Sequence, residues 1–124
     1  MIVHIDTSAL LDALTGPRRS LPRLTAIVAD GHRIAISAPV FYEWRRGPRH
    51  RSELTAQAHL LPVEGIVAFG VVEATVASEL YQKVPRPRGS EIDLAIAACA
   101  LCQGAGLWTL NPDDFRDVPG LALI

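Results

Sequence analysis

Cysteine is scarce in this chain: Cys99 and Cys102 are the only two among 124 residues. They form one C-x-x-C inside an apolar helical pattern, with no second pair to complete a zinc site and no thioredoxin-like strand before them, so they read as small buried residues. Histidine offers no metal site either, because His4, His32, His50 and His59 fall in different expected elements and none are paired at zinc-ligand spacing. No apolar run approaches the roughly 18 residues of a membrane span. The N-terminus lacks a charged segment followed by an apolar stretch and a cleavage site, and a cytoplasmic protein without a membrane role is expected. Repeats, low-complexity segments and linkers are missing as well. A chain of 124 residues, 49% apolar, has room for one core, so a single domain over 1–124 is expected. The formal net charge of -1 removes any bulk attraction to nucleic acid.

The cations that are present are unevenly placed. All but Lys83 are arginines; Arg45, Arg46, Arg49 and Arg51 cluster beside His50, while Lys83, Arg86 and Arg88 flank a proline-rich turn. Two local basic patches, or two solvated loops, follow from this distribution.

Apolar runs of two lengths alternate, which predicts an α/β fold around a parallel sheet. Strands are expected at Met1 to Ile5, Ile34 to Ser37, Leu61 to Val63, Leu107 to Thr109 and Leu121 to Ile124. Helices are expected at Ser8 to Leu14, Leu21 to Asp30, Val40 to Arg46, Arg51 to Leu60, Gly65 to Lys83 and Ser90 to Gln103, with one helical turn at Pro112 to Phe115. Gly16-Pro17, Gly31, Gly47-Pro48 and Gly104 supply the stop signals.

In a parallel sheet, helix N-termini share an edge with strand C-termini, and open α/β sheets bind ligands at that edge. Four acids are expected there: Asp6 closes the first strand, Glu43 opens the helix after the second, Asp93 lies in the first turn of the helix before Leu107, and Asp114 follows that strand. Each also has a local explanation. Asp6 could cap the helix from Ser8, Ser90-Glu-Ile-Asp93 resembles a capping box, Asn111-Pro-Asp-Asp114 is a cap with proline behind it, and Glu43 could pair with Arg46. Jointly they carry a different implication. Two carboxylates about 4 Å apart repel by about 4 kcal/mol at an effective dielectric near 20, so a cluster of four needs protons, cations or separation. A hard divalent ion with oxygen ligands would meet that need.

At these residues the chain resembles the PIN-domain proteins, specifically the VapC-type toxins of toxin–antitoxin pairs. "IDTSALL" (Ile5 to Leu11) resembles the opening D-T-S-x-L motif, and "APVFYEWRRG" (Ala38 to Gly47) the strand–helix segment with its acidic residue. "EIDLAIAACALCQGAGLWTLNPDDF" (Glu91 to Phe115) resembles the D-x-x-I-A-A-x-A helix and the T-x-N-x-x-D-F turn. The order and spacing of these motifs extend the resemblance over essentially the whole chain.

The resemblance implies a PIN-like three-layer α/β/α sandwich with a central, mainly parallel sheet of four to five strands. It further implies that Asp6, Glu43, Asp93 and Asp114 hold Mg²⁺ or Mn²⁺ and carry catalysis, with Asp113 and Asp114 both open as the last ligand. Thr7, Thr109 and Asn111 would support these carboxylates from behind, although capping and strand packing also account for the two threonines. The implied reaction is metal-assisted hydrolysis of an RNA phosphodiester, with Asp93 or Asp6 as base and one or two ions. Because RNA must approach an acidic centre, Arg45, Arg46, Arg86 and Arg88 are expected to hold its phosphates. Implied partners are a VapB-type antitoxin, a tRNA, rRNA or mRNA substrate, and a second copy of the chain. Phe41, Tyr42 and Trp44 serve either the antitoxin surface or the core.

Other classes fit less well. A phospho-acceptor receiver domain would place an acceptor Asp after a middle strand, and a dehalogenase-type phosphatase would read D-x-D where this chain has Asp6-Thr7-Ser8. A PIN-like module that binds RNA or a partner without cutting stays open, because many relatives carry Asp at the position of Asn111.

Overall fold

The protein is described by a computed structural model over residues 1–85 and 87–124. Arg86, one of the expected RNA-contacting cations, lies outside the described residues. Strand β1 (Ile2–Ile5) leads into α1 (Thr7–Leu14) and α2 (Leu21–Ala29), and β2 (Arg33–Ala35) into α3 (Ala38–Arg46), α4 (Arg51–Leu60), α5 (Val71–Lys83) and α6 (Glu91–Cys102). β3 (Gly106–Trp108) closes the sheet, followed by a 3-10 turn at Pro112–Asp114.

The sheet order is β2-β1-β3, with both pairings parallel. Reaching β2 moves the chain to one side of β1, and reaching β3 brings it back past β1 to the other. Right-handed crossovers in opposite directions set α1 and α2 against one face and the packed pair α5 and α6 against the other, with α3 and α4 reaching back to contact α1. The same reversal creates a crevice beyond the carboxyl ends of β1 and β3, the position where open α/β sheets admit ligands.

The core explains why β1 and α6 carry so little polar character. Val3 and Ile5 of β1, Leu107 of β3 and Ile96, Ala97 and Ala98 of α6 are fully enclosed, together with Trp44 of α3 and Phe115. Small residues along α6 let it pack closely against α5, α3 and β3. Gly104, at φ 61°, terminates α6 in a left-handed conformation that an L side chain rarely adopts.

Three regions differ from the expectation. Leu61 to Val63 is not a strand: Leu61 ends α4, its carbonyl accepting from Gln57 Nε2 at 3.1 Å, and Val63–Gly65 forms a 3-10 turn. The pairing expected there occurs further along, where Val67 bridges Ser37 in parallel; Val67 N donates to the Ile36 carbonyl at 3.0 Å and Ala38 N to the Val67 carbonyl at 2.8 Å. Those bonds hold residues 66–68 extended, so α5 begins only at Val71. Gly70 stands at its N-cap and donates its backbone N–H to Glu73 Oε1 at 3.0 Å, where a continuous helix from Gly65 was expected. At the C-terminus, Leu121 to Ile124 contributes one bridge, Leu107 to Leu123, instead of a full strand. Among the described residues the sheet therefore has three strands, with single bridges at Val67 and Leu123 in place of the strands expected at Leu61 to Val63 and Leu121 to Ile124.

Candidate active site

Asp6 follows β1 directly, and its backbone N–H bonds to the Trp108 carbonyl at 2.9 Å, so it extends the sheet by one residue. It occupies the N-cap position of α1, yet its side chain makes no capping hydrogen bond. The carboxylate is taken up elsewhere. Oδ2 accepts from Thr109 Oγ1 at 2.7 Å and from Ser8 Oγ at 2.9 Å, and Asp6 itself is only 5% exposed. Thr109 Oγ1 in turn accepts from Asn111 N at 3.0 Å, while Ser8 Oγ accepts from Leu110 N at 3.1 Å. The loops after β1 and β3 are thus joined through two hydroxyls that orient one carboxylate.

Glu43 arrives from α3. Its Oε1 accepts a 2.6 Å hydrogen bond from Thr7 Oγ1, and its Oε2 lies 3.4 Å from Arg46 Nη2. Glu43 therefore lines the cavity and also pairs with Arg46. Asp93 comes from the first turn of α6, and Asp114 from the 3-10 turn after β3. Asp6, Glu43, Asp93 and Asp114 line one cavity of about 400 Å³, together with Thr7, Ser8 and Asn111. Asp113 turns away, pairing with Arg116 at 2.7 Å on the surface, so Asp114 is the acid of that turn which faces the cavity.

The electrostatics record the crowding. Asp93 is pushed up from 3.8 to about 6, first by burial and then by the charges of Asp114, Asp6 and Glu43. Among the described residues, no three His, Cys, Asp or Glu side chains are gathered tightly enough to hold a metal ion as they stand. The donor set nevertheless suits a hard cation. It is entirely oxygen, and Mg²⁺ binds through a few carboxylates while keeping several waters.

The arginines divide. Arg46 and Arg49 line the acidic cavity, whereas Arg45 lies over the Phe41 ring at 5.5 Å and is not among the lining residues. Arg88 is exposed in the turn before α6. Of the aromatic residues of α3, Trp44 is core, Phe41 packs partly buried against it and Tyr42 is exposed. Ser8 and Arg49 carry more of the site than the sequence reading assigned them. The D-T-S motif was the available signal for Ser8; for Arg49 it was the basic cluster.

The PIN domain family model matches residues 3–121 of this chain. The chain belongs to the PIN-domain family. PIN domains are nucleases that generally use divalent metal ions. Among solved structures, VapBC2 from Rickettsia felis, bound to a DNA fragment from its promoter, is similar over 100% of this chain and 98% of its own, at 25% identity and TM-score 0.82. A toxin–antitoxin complex from Klebsiella pneumoniae matches over 98% and 95% of the two chains, at 24% identity and TM-score 0.74. VapBC-1 from nontypeable Haemophilus influenzae shares the PIN fold over 100% and 97%, at 18% identity and TM-score 0.73. A search of curated proteins gives no match. No described helix of this PIN domain is long and apolar enough to cross a membrane.

Proposed function

We propose that the chain is a single-domain, cytoplasmic VapC-type toxin, an endoribonuclease that uses Mg²⁺ or Mn²⁺ to hydrolyse RNA phosphodiester bonds. The observation that carries this reading is the arrival of four carboxylates from four separate segments in one cavity at the carboxyl edge of the sheet. Capping requires no such convergence, and the Asp6 side chain does not cap its helix.

Asp6, Glu43, Asp93 and Asp114 would hold the cation. When bound, it polarises a phosphoryl oxygen and makes water more acidic. Thr109 and Ser8 fix the Asp6 carboxylate, and Thr7 fixes that of Glu43, so neither must reorganise as the ion enters. Asp93 or Asp6 would accept the proton from the attacking water. By its likeness to VapBC complexes, the protein would pair with a VapB-type antitoxin and form a homodimer.

A second reading, a PIN module that binds RNA or a partner without cutting it, is favoured by Asn111, which leaves the cavity wall one charge short of many relatives. Incubating antitoxin-free protein with tRNA and mRNA separates the two. Cutting that requires Mg²⁺ or Mn²⁺, stops in EDTA and is absent in Asp93→Asn supports the nuclease. Identical behaviour of all samples, with the protein folded, removes it in favour of the binding module.

A further inference from the structure

The acidic cavity adjoins two hollows, one with an excess of acids and one whose charges balance. Through Asp114 it adjoins a hollow that also holds Asp113 and Asp117; through Ser8 and Leu11 it adjoins another in which Arg19 is balanced by Asp12. Arg49, in the connection between α3 and α4, lines the acidic cavity itself. Its guanidinium lies over the Trp44 ring at 4.8 Å, and Nη1 donates to the Pro48 carbonyl at 2.5 Å. On its third side is Gly47, where an added Cβ would come within 2.9 Å of Arg49 Nη2. Trp44 is itself fully buried, so the surface that supports the guanidinium cannot move freely. Unlike Arg46, which pairs with Glu43, Arg49 has no carboxylate partner among the described residues, and its Nε is buried without an acceptor.

A planar cation seated on an aromatic face and a glycine has lost most of its rotamer freedom before any ligand arrives. We propose that Arg49 is the phosphate anchor of the site, and that the RNA strand enters past Arg49 towards Arg19, avoiding the hollow of Asp113 and Asp117. The inference rests on the nuclease reading above and adds direction and a named contact to it. A phosphate bound at Arg49 would sit at the rim of the carboxylate cavity, while the chain's next phosphates meet Arg19 in a hollow of balanced charge on one side and an excess of acids on the other. Gly47 is a positioning residue in this scheme, acting only through the seat that it leaves for Arg49.

Binding of a labelled single-stranded RNA of mixed sequence, measured by fluorescence anisotropy over a salt series in the Asp93→Asn background, tests this. Adding Arg49→Gln should weaken binding by about tenfold and lower the salt slope by about one. Arg49→Lys, which keeps the charge but not the stacked plane, should fall between the two. Gly47→Ala should weaken binding with no change of charge, and Arg19→Gln should weaken it less than Arg49→Gln. Asp117→Asn should not weaken it. Equal affinity and salt slope for Arg49→Gln and its parent, both folded by circular dichroism, would overturn the anchor while leaving cleavage by the Asp93 protein intact. If the Asp93 protein neither binds nor cuts RNA with Mg²⁺ or Mn²⁺, the nuclease reading falls and takes the anchor with it.

Discussion

Asp93 holds its proton more tightly than an ordinary carboxyl because it is half-buried at the head of α6 and faces three other acids. A folded pKa raised to about 6 from 3.8 means that the native state binds a proton which the unfolded chain releases. The stabilisation is therefore fully present below about 3.8 and is lost as pH rises through 6. In EDTA, melting of wild type and Asp93→Asn between pH 4 and 7 should show wild type falling behind as pH rises. After solvent screening of a half-exposed group, the gap should be about 1 kcal/mol. A parallel pH dependence in the two proteins would show that Asp93 does not carry the charge stress of the cavity. Thr109 makes a second residue-level test, because its hydroxyl serves Asp6 Oδ2 and Asn111 N together. Thr109→Val should cost about 1–3 kcal/mol in urea denaturation and weaken Mg²⁺ binding by about tenfold, read as the metal-dependent rise in melting temperature.

At the scale of elements, α6 is the piece whose placement matters most to the acids. Leu94, Ile96, Ala97, Ala98, Cys99 and Ala100 are all buried, so the helix is enclosed on nearly every side and Asp93 is carried on a rigid support. Ala97 lies one turn beyond Asp93, on the same stripe. Ala97→Leu should overfill that contact, costing about 1–3 kcal/mol in chemical denaturation and lowering cleavage more than RNA binding. The α3–α4 junction acts differently. Gly47 ends one helix, and His50 begins the next with its backbone N–H on Glu53 Oε1 at 2.7 Å, so the short connection between them holds Arg49 against Trp44.

For the molecule as a whole, a net charge of -1 conceals a separation of signs, with acids in the crevice and arginines along one of its rims. The apolar core contains none of the four acids, so chelation should leave the protein folded. Adding millimolar Mg²⁺ at neutral pH should then raise the melting temperature by mass action, with a much smaller rise for Asp93→Asn. Unfolding of the wild type by EDTA alone would instead make the cation part of the fold.

Local chemistry made much of this protein legible in its sequence. Apolar periodicity and the Gly and Pro stops placed β1, α1, α2, α3, α4 and α6 within a few residues of their observed bounds, because those signals act over one or two turns. The same reading put four acids at the carboxyl edge, since alternation of strand and helix determines on which edge a residue falls. Tertiary structure alone decided the rest. The order β2-β1-β3 brings Asp6 beside the segment after β3, and the bond between Thr109 and Asp6 spans 103 residues of sequence. Residues 66–68 are extended, against their helical pattern, because the Ile36 and Ala38 backbone offers them hydrogen bonds that no local signal encodes. Asp114 was separated from Asp113 only by which of the two found Arg116, and Arg49 from its neighbours only by which found the face of Trp44. Periodicity assigns a residue to a face of its own element, but contact between elements depends on strand order and packing, which are properties of the folded chain.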